Sequence, residues 1–176
     1  MGKQKMSTIQ NMITIARDEA EQLLSRLNMK RIPTGLPKVA RKLNITVEYT
    51  PLDRQLSGMA LIKDEQRLIW INSLHHPNRQ RFTLAHEIGH HVLHEEILRE
   101  GVHVDKGILR RDTVSSTGTE TKEIQANAFA SQLLMPNAEI TRLSQDLDLD
   151  DEESIKSLAK KFRVSVAAIQ YRLVRT

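Results

Sequence analysis

Between Ile9 and Leu27 the apolar residues Met12, Ile13, Ala16, Ala20, Leu23, Leu24 and Leu27 recur at steps of three and four, which predicts an amphipathic helix resting on the body of the protein. Pro33-Thr34-Gly35-Leu36-Pro37 reads as a turn, Lys38 to Leu43 as a short helix, and Ile45-Thr46-Val47-Glu48-Tyr49 as a strand of alternating faces ended by Pro51. Gly58 to Lys63 and Arg67 to Asn72 flank the polar Asp64-Glu65-Gln66, the pattern of a β-hairpin. The expected sheet is therefore small, antiparallel and about three-stranded, and Gly58 to Ile62 is a candidate edge strand on which an extended peptide could pair. A helix is predicted from about Arg81 to Glu96, a Gly-, Ser- and Thr-containing loop from Gly101 to Thr119, and a second helix from about Glu120 to Met135, stopped by Pro136. The acidic run Asp146 to Glu153 precedes two short helices, Ile155 to Phe162 and a last one through Val174, joined at Arg163-Val164-Ser165 in the rhythm of a helix-turn-helix. The fold class that follows is α+β in one domain. An N-terminal helix (residues 1–30) and a C-terminal helical segment (146–176) pack on a core of residues 31–145.

Composition narrows the chemistry. A chain of 176 residues with 39% hydrophobic and 27% charged residues can bury a core without staples, and no apolar run approaches the ~20 residues that span a bilayer. The basic start is interrupted by Gln10, Asn11, Arg17 and Asp18 before any apolar signal core forms, so a cytoplasmic protein without membrane attachment is expected. With no cysteine, disulfides and thiol catalysis are excluded, and any metal site must draw on His and carboxylates. The formal charge of +4 is spread along the chain, and one Trp, two Tyr and three Phe give no base-stacking platform, so nucleic acid is not an expected partner.

The run His86-Glu87-Ile88-Gly89-His90 lies inside the first predicted long helix. Four helical residues advance about 400°, which puts His86 and His90 one turn apart on one face, able to share an ion. Glu87, turned about 100° away, is poor as a ligand of that stripe and well placed as general base toward a water on the open side. A catalytic zinc site needs a third protein ligand. The second helix supplies Glu123, with Asn127 one turn on as a group that could hydrogen-bond a ligand histidine and fix its orientation. Gly89 inside a helix costs about 1 kcal/mol relative to Ala, which a close approach of another backbone or of the ion would explain, and the small Ala126 and Ala130 suit such an approach.

Three strings together are far more specific than the histidine pair. Arg81-Phe82-Thr83-Leu84-Ala85-His86-Glu87-Ile88-Gly89-His90, Glu123-Ile124-Gln125-Ala126-Asn127-Ala128-Phe129-Ala130 and Leu133-Leu134-Met135-Pro136 resemble the ImmA/IrrE metallopeptidases in content, order and spacing. The likeness runs from roughly Ile32 to Arg172 and leaves the N-terminal helix unshared. The resemblance implies a zincin-like, gluzincin-type fold, one Zn2+ held by His86, His90 and Glu123, and Glu87 as base. It also implies proteolysis of an XRE/Cro-type helix-turn-helix repressor that silences phage, mobile-element or stress genes. His91 departs from the bulky apolar residue often found at its position, and no fused sensor or DNA-binding domain is evident.

Other histidines have plainer readings. His94 continues the stripe, but three successive helical turns cannot reach one ion undistorted, so packing or hydrogen bonding is expected of it. His75, His76 and His103 are loop candidates for stabilising a developing oxyanion, unranked by sequence. The metzincin pattern is excluded because Leu93 and Glu96 stand where it needs Gly and His. Rival readings are a DNA-binding regulator built on the C-terminal helices and a protein-interaction module with a structural metal and no turnover.

Overall fold

The computed structural model describes residues 2–29, 31–105 and 117–174, with side chains from residue 8 and, in the last segment, from residue 120. It is an α+β structure in which helices α1 (Gly2–Arg26), α3 (Pro77–Leu93) and α5 (Thr117–Leu134) are the long elements, and the short predicted helix before the first strand is α2 (Leu36–Lys42). α5 lies in the middle, packed against α1 on one side and α3 on another. The apolar stripe of α1 does what its period demands, burying Ala16, Ala20, Leu23 and Leu24 in the same cluster as Phe129, Leu133 and Leu134 of α5.

The sheet corrects the sequence expectation. Among the described residues it has four strands, β1 (Ile45–Thr50), β2 (Gly58–Lys63), β3 (Gln66–Asn72) and β4 (His103–Asp105), in the order β1-β3-β2-β4. It is mixed, because β1 runs parallel to β3 while β2 pairs antiparallel with both β3 and β4. The hairpin β2–β3 is as predicted, with Asp64 and Glu65 at positive φ in its turn. The connection after β1 crosses to the far side of β3, and the buried Asn72 side chain holds it by donating to Asp53 O at 3.0 Å and Leu56 O at 2.8 Å. β2 is not an edge strand: β4 covers Gly58, Met59 and Ala60. A three-residue strand inside a polar stretch shows no alternation, which is why that stretch reads as loop.

Helix boundaries shift for local reasons. α3 starts at Pro77 rather than Arg81, because proline suits the first helical position and the His76 ring accepts from Asn78 N–H at 3.1 Å. The predicted helix ends at Leu93, since His94 leaves helical geometry at φ −137°, and α4 (Glu95–Glu100) follows after this break. α5 begins at Thr117, inside the predicted loop, and residues 106–116 of that loop lie outside the described residues. Beyond Pro136 an additional short helix forms, α6 (Asn137–Ser144).

The closing pair is α7 (Glu152–Phe162) and α8 (Val166–Leu173), each capped by a side chain, Asp151 to Ser154 N–H and Ser165 to Ala168 N–H. Arg163 takes the left-handed conformation between them. Arg172 is not part of an exposed basic face. It is buried and donates to the Gln132 and Asn137 side chains and to Met135 O, tying α8 to the end of α5. No helix among the described residues is long and apolar enough to cross a membrane.

Candidate metal centre

α3 and α5 meet closely enough that a Cβ on Gly89 would stand 3.1 Å from Phe129 Cδ1 and 3.4 Å from Ala126 Cα and O. A side chain at position 89 would press on the Phe129 ring and leave only contact distance to the α5 backbone, so the glycine marks the close approach that its place inside a helix suggested. This contact sets His86 and His90 of α3 opposite Glu123 of α5.

The two imidazole Nε2 atoms are 3.1 Å apart. Glu123 reaches both, with Oε2 at 3.3 Å from His86 Nε2 and Oε1 at 3.4 Å from His90 Nε2. A third imidazole joins from β4: His103 Nε2 lies 3.5 Å from Glu123 Oε1, and its ring centroid is 4.0 Å from that of His90. One ligand atom from each of His86, His90, His103 and Glu123 can be chosen so that all lie within 4.8 Å of one another. Three imidazole nitrogens and a carboxylate turned toward one point suit a borderline divalent ion, and these four residues could hold one.

The far side of the His86 imidazole is occupied by α5, and that of His90 by His94 at the end of α3. His86 Nδ1 faces Asn127 Oδ1 at 3.1 Å; that oxygen only accepts, so Nδ1 carries a hydrogen, and in the neutral ring Nε2 is the nitrogen left with a lone pair for an ion. A longer chain does the same for His90. His94 Nε2 faces Gln125 Oε1 at 3.2 Å and must donate there, which leaves His94 Nδ1 to accept from His90 Nδ1 at 3.2 Å and frees His90 Nε2. Glu123, Gln125 and Asn127 therefore come as a set from two turns of one helix. Gln125 had no mark in the sequence beyond lying between the other two. The position of His94, one turn beyond His90, was the available signal for the relay.

Glu87 turns toward the sheet. Both carboxylate oxygens are buried without a hydrogen-bond partner. Room for them comes from Gly58 on β2, where a Cβ would stand 3.4 Å from Glu87 Oε1, 3.0 Å from Trp70 O and only 2.6 Å from Thr83 Cγ2. Burial pushes the Glu87 carboxyl up to about 8, against the lowering influence of His86. For His86 burial works downward, but the hydrogen bond to Glu123 and the charges of Glu87, Asp105 and Glu123 raise it to about 9. Burial takes His90 down to about 3, helped by the charges of His86 and His103. Burial would raise Glu123, yet its bonds to His86 and His90 hold it below the usual carboxylate range. The metal-free centre is thus an imidazolium–carboxylate pair, His86 with Glu123, beside neutral imidazoles and a protonated Glu87.

His75 and His76 stand apart from this cluster. His75 Nε2 is 3.3 Å from Arg54 O, and His76 caps α3. His91, the departure noted in the sequence, is buried with Nε2 3.2 Å from Leu68 O, linking α3 to β3.

Residues 40–174 match the peptidase M78 family, described as the IrrE N-terminal-like domain. The chain belongs to this family. It is similar to the radiation response metalloprotease IrrE of Deinococcus radiodurans, 34% identical over 110 residues, a stretch that covers 62% of this chain and 31% of that protein. Among solved structures it resembles a Mycobacterium tuberculosis transcriptional regulator with a TM-score of 0.63 at 20% identity, over 90% of this chain and 46% of the other, a likeness of fold. The chain thus spans less than half the length of either relative. Membership in a metalloprotease family accords with the His and Glu cluster as a place for a metal ion.

Proposed function

We propose that the chain is a cytoplasmic zinc-dependent endopeptidase and that its substrate is an XRE/Cro-type helix-turn-helix repressor, cleaved to release phage, mobile-element or stress-response genes. The observation that carries the peptidase reading is the position of Glu87: a buried carboxylate without a partner, adjacent in the helix to a histidine whose Nε2 converges with those of His90 and His103 on Glu123. A structural site has no use for such a group, whereas a hydrolase needs it as proton carrier.

In this reading His86, His90 and Glu123 hold one zinc ion, and Asn127 keeps His86 in the tautomer that coordinates. When bound, zinc supplies a Lewis acid that polarises the scissile carbonyl and acidifies water. Glu87 takes the proton of the attacking water and delivers it to the leaving amine. Burial without a partner makes the ionised carboxylate a strong base toward that proton, and the positive charge of a bound divalent ion would favour the ionised form that accepts it. The repressor as substrate is supported by the ImmA/IrrE resemblance, and one relative is by name a radiation response protein. A DNA-reading role for α7 and α8 is weakened by the burial of Arg172.

The test is to incubate the zinc-loaded protein with XRE/Cro-type helix-turn-helix repressors from the same genome and follow fragments by mass spectrometry. Cleavage is expected from the native chain and not from Glu87→Gln. Cleavage by both, or by neither, contradicts the mechanism.

A further inference from the structure

The position of β4 has two consequences at once. It pairs antiparallel with β2, placing Asp105, Val104 and His103 opposite Gly58, Met59 and Ala60, and Ser57 N–H donates to Asp105 O at 2.8 Å. It is the outermost strand of the sheet among the described residues, so without it β2 would present a row of unpaired backbone groups beside Glu87. That is where an extended peptide adds to a sheet, with main-chain hydrogen bonds supplying affinity.

The same strand carries His103 into the centre. Its Nε2 is buried and makes no hydrogen bond, an orphan polar atom pointed at the cluster. Ligands about 2.0 Å from a tetrahedral ion stand about 3.3 Å from one another. The distances found are 3.1 Å for His86 to His90, 3.3 and 3.4 Å for these to Glu123, and 3.5 Å for His103 to Glu123. His103 Nε2 thus lies close to ligand spacing from Glu123, and one ligand atom from each of the four residues falls within 4.8 Å of the others, a cluster that a bound ion could draw together. Three protein ligands leave a catalytic ion an open position; four close it.

We propose that His103 is the fourth metal ligand of a closed resting state, and that β4 lies on β2 as an internal stand-in for the substrate strand. The proposal rests on the metallopeptidase reading above. A peptide that pairs with β2 displaces β4, and with it His103, so strand addition and the opening of the metal position become one event. The substrate class that follows is a protein segment able to adopt an extended strand longer than the three residues of β4, not a folded surface or a free amino acid.

Zinc K-edge absorption of the full zinc-loaded chain tests this directly. Three imidazoles are expected in the native protein, and two imidazoles with an added light oxygen donor in His103→Ala and in His103→Gln, the latter keeping the side-chain bulk. Zinc affinity should fall by at least the ~10-fold that follows loss of a group merely supporting a ligand. Cleavage of fluorescein-labelled casein should become several-fold faster in both variants. Two imidazoles in the native protein, or slower cleavage by both variants, overturns the proposal. Glu87→Gln, measured alongside, separates the failures. Casein cleaved by the native chain and not by Glu87→Gln, while the His103 variants keep the native spectrum, overturns the latch alone; casein cut equally by Glu87→Gln, or left intact by the native chain and both His103 variants, overturns the metallopeptidase reading beneath it.

Discussion

Replacing Glu87 by Gln should make the metal-free protein more stable, by an amount that grows with pH. The carboxyl is buried without a partner, and burial raises it from an ordinary 4.5 to about 8. A group raised in this way contributes its full share to stability below the unfolded value, near pH 4.5, and loses it as pH climbs to the folded value. Linkage at 1.36 kcal/mol per unit gives a cost of under about 1 kcal/mol at pH 5 and about 3 kcal/mol at pH 7. The Gln amide has an unmet polar group of its own, but that offset does not vary with pH, so the change between two pH values reports the ionisation of Glu87 together with its coupling to His86. At ~2–4 °C per kcal/mol for a chain of this size, the melting temperature of Glu87→Gln relative to the native protein should rise by ~5–10 °C between pH 5 and pH 7. Thermal unfolding by circular dichroism in EDTA at the two pH values measures it, with loss of peptidase activity as the companion result. A difference that is flat with pH, or a variant less stable at pH 7, would refute the view of Glu87 as a carboxylate held at a cost to the fold.

Three further outcomes follow from the same centre. At pH 7 His86, raised to about 9, and Glu87, at about 8, both carry protons in the metal-free protein, while His90 does not. Zinc uptake should thus release about two protons from the native chain and about one from Glu87→Gln, measured by titration calorimetry in buffers of different ionisation enthalpy. Asn127→Ala and Gln125→Ala each remove the acceptor that sets an imidazole tautomer, and zinc affinity by competition with a chelating dye should fall ~10–100-fold in each; unchanged affinity would remove them from the site. Gly89→Val places methyls where a single Cβ already meets Phe129 at 3.1 Å, and overpacking of ~1–3 kcal/mol should lower the melting temperature and loosen zinc binding together.

The α3–α5 core of the centre was legible in the sequence because helical period alone aligns His86 with His90, and a turn of α5 aligns Glu123 with Asn127. The glycine at position 89 announced the close approach. What stayed hidden was whatever depends on pairing between distant segments. The parallel register of β1 with β3 has no local signature, and β4 is too short to alternate, so His103 read as a loop histidine although its Nε2 stands 3.5 Å from Glu123 Oε1. The break at His94 was equally silent, because Val92, Leu93, Ile97 and Leu98 continue a helical spacing across it. Gly58 reads as the start of a strand and shows its purpose only when Thr83 and Glu87 are seen against it.

That His86 and His90 stand on one helix and Glu123 on another, far apart in the chain, bears on how long the protein lasts in a cell. An ion held as proposed by α3 and α5 would be a reversible cross-link between them, adding about 4 kcal/mol when free metal stands a thousandfold above its dissociation constant. Since α5 also carries α1 on another face, that support reaches the N-terminal helix as well. Opened chains are what cellular proteases degrade, so the abundance of this protein would track the metal supply, and starvation for zinc would remove the protein as well as silence it.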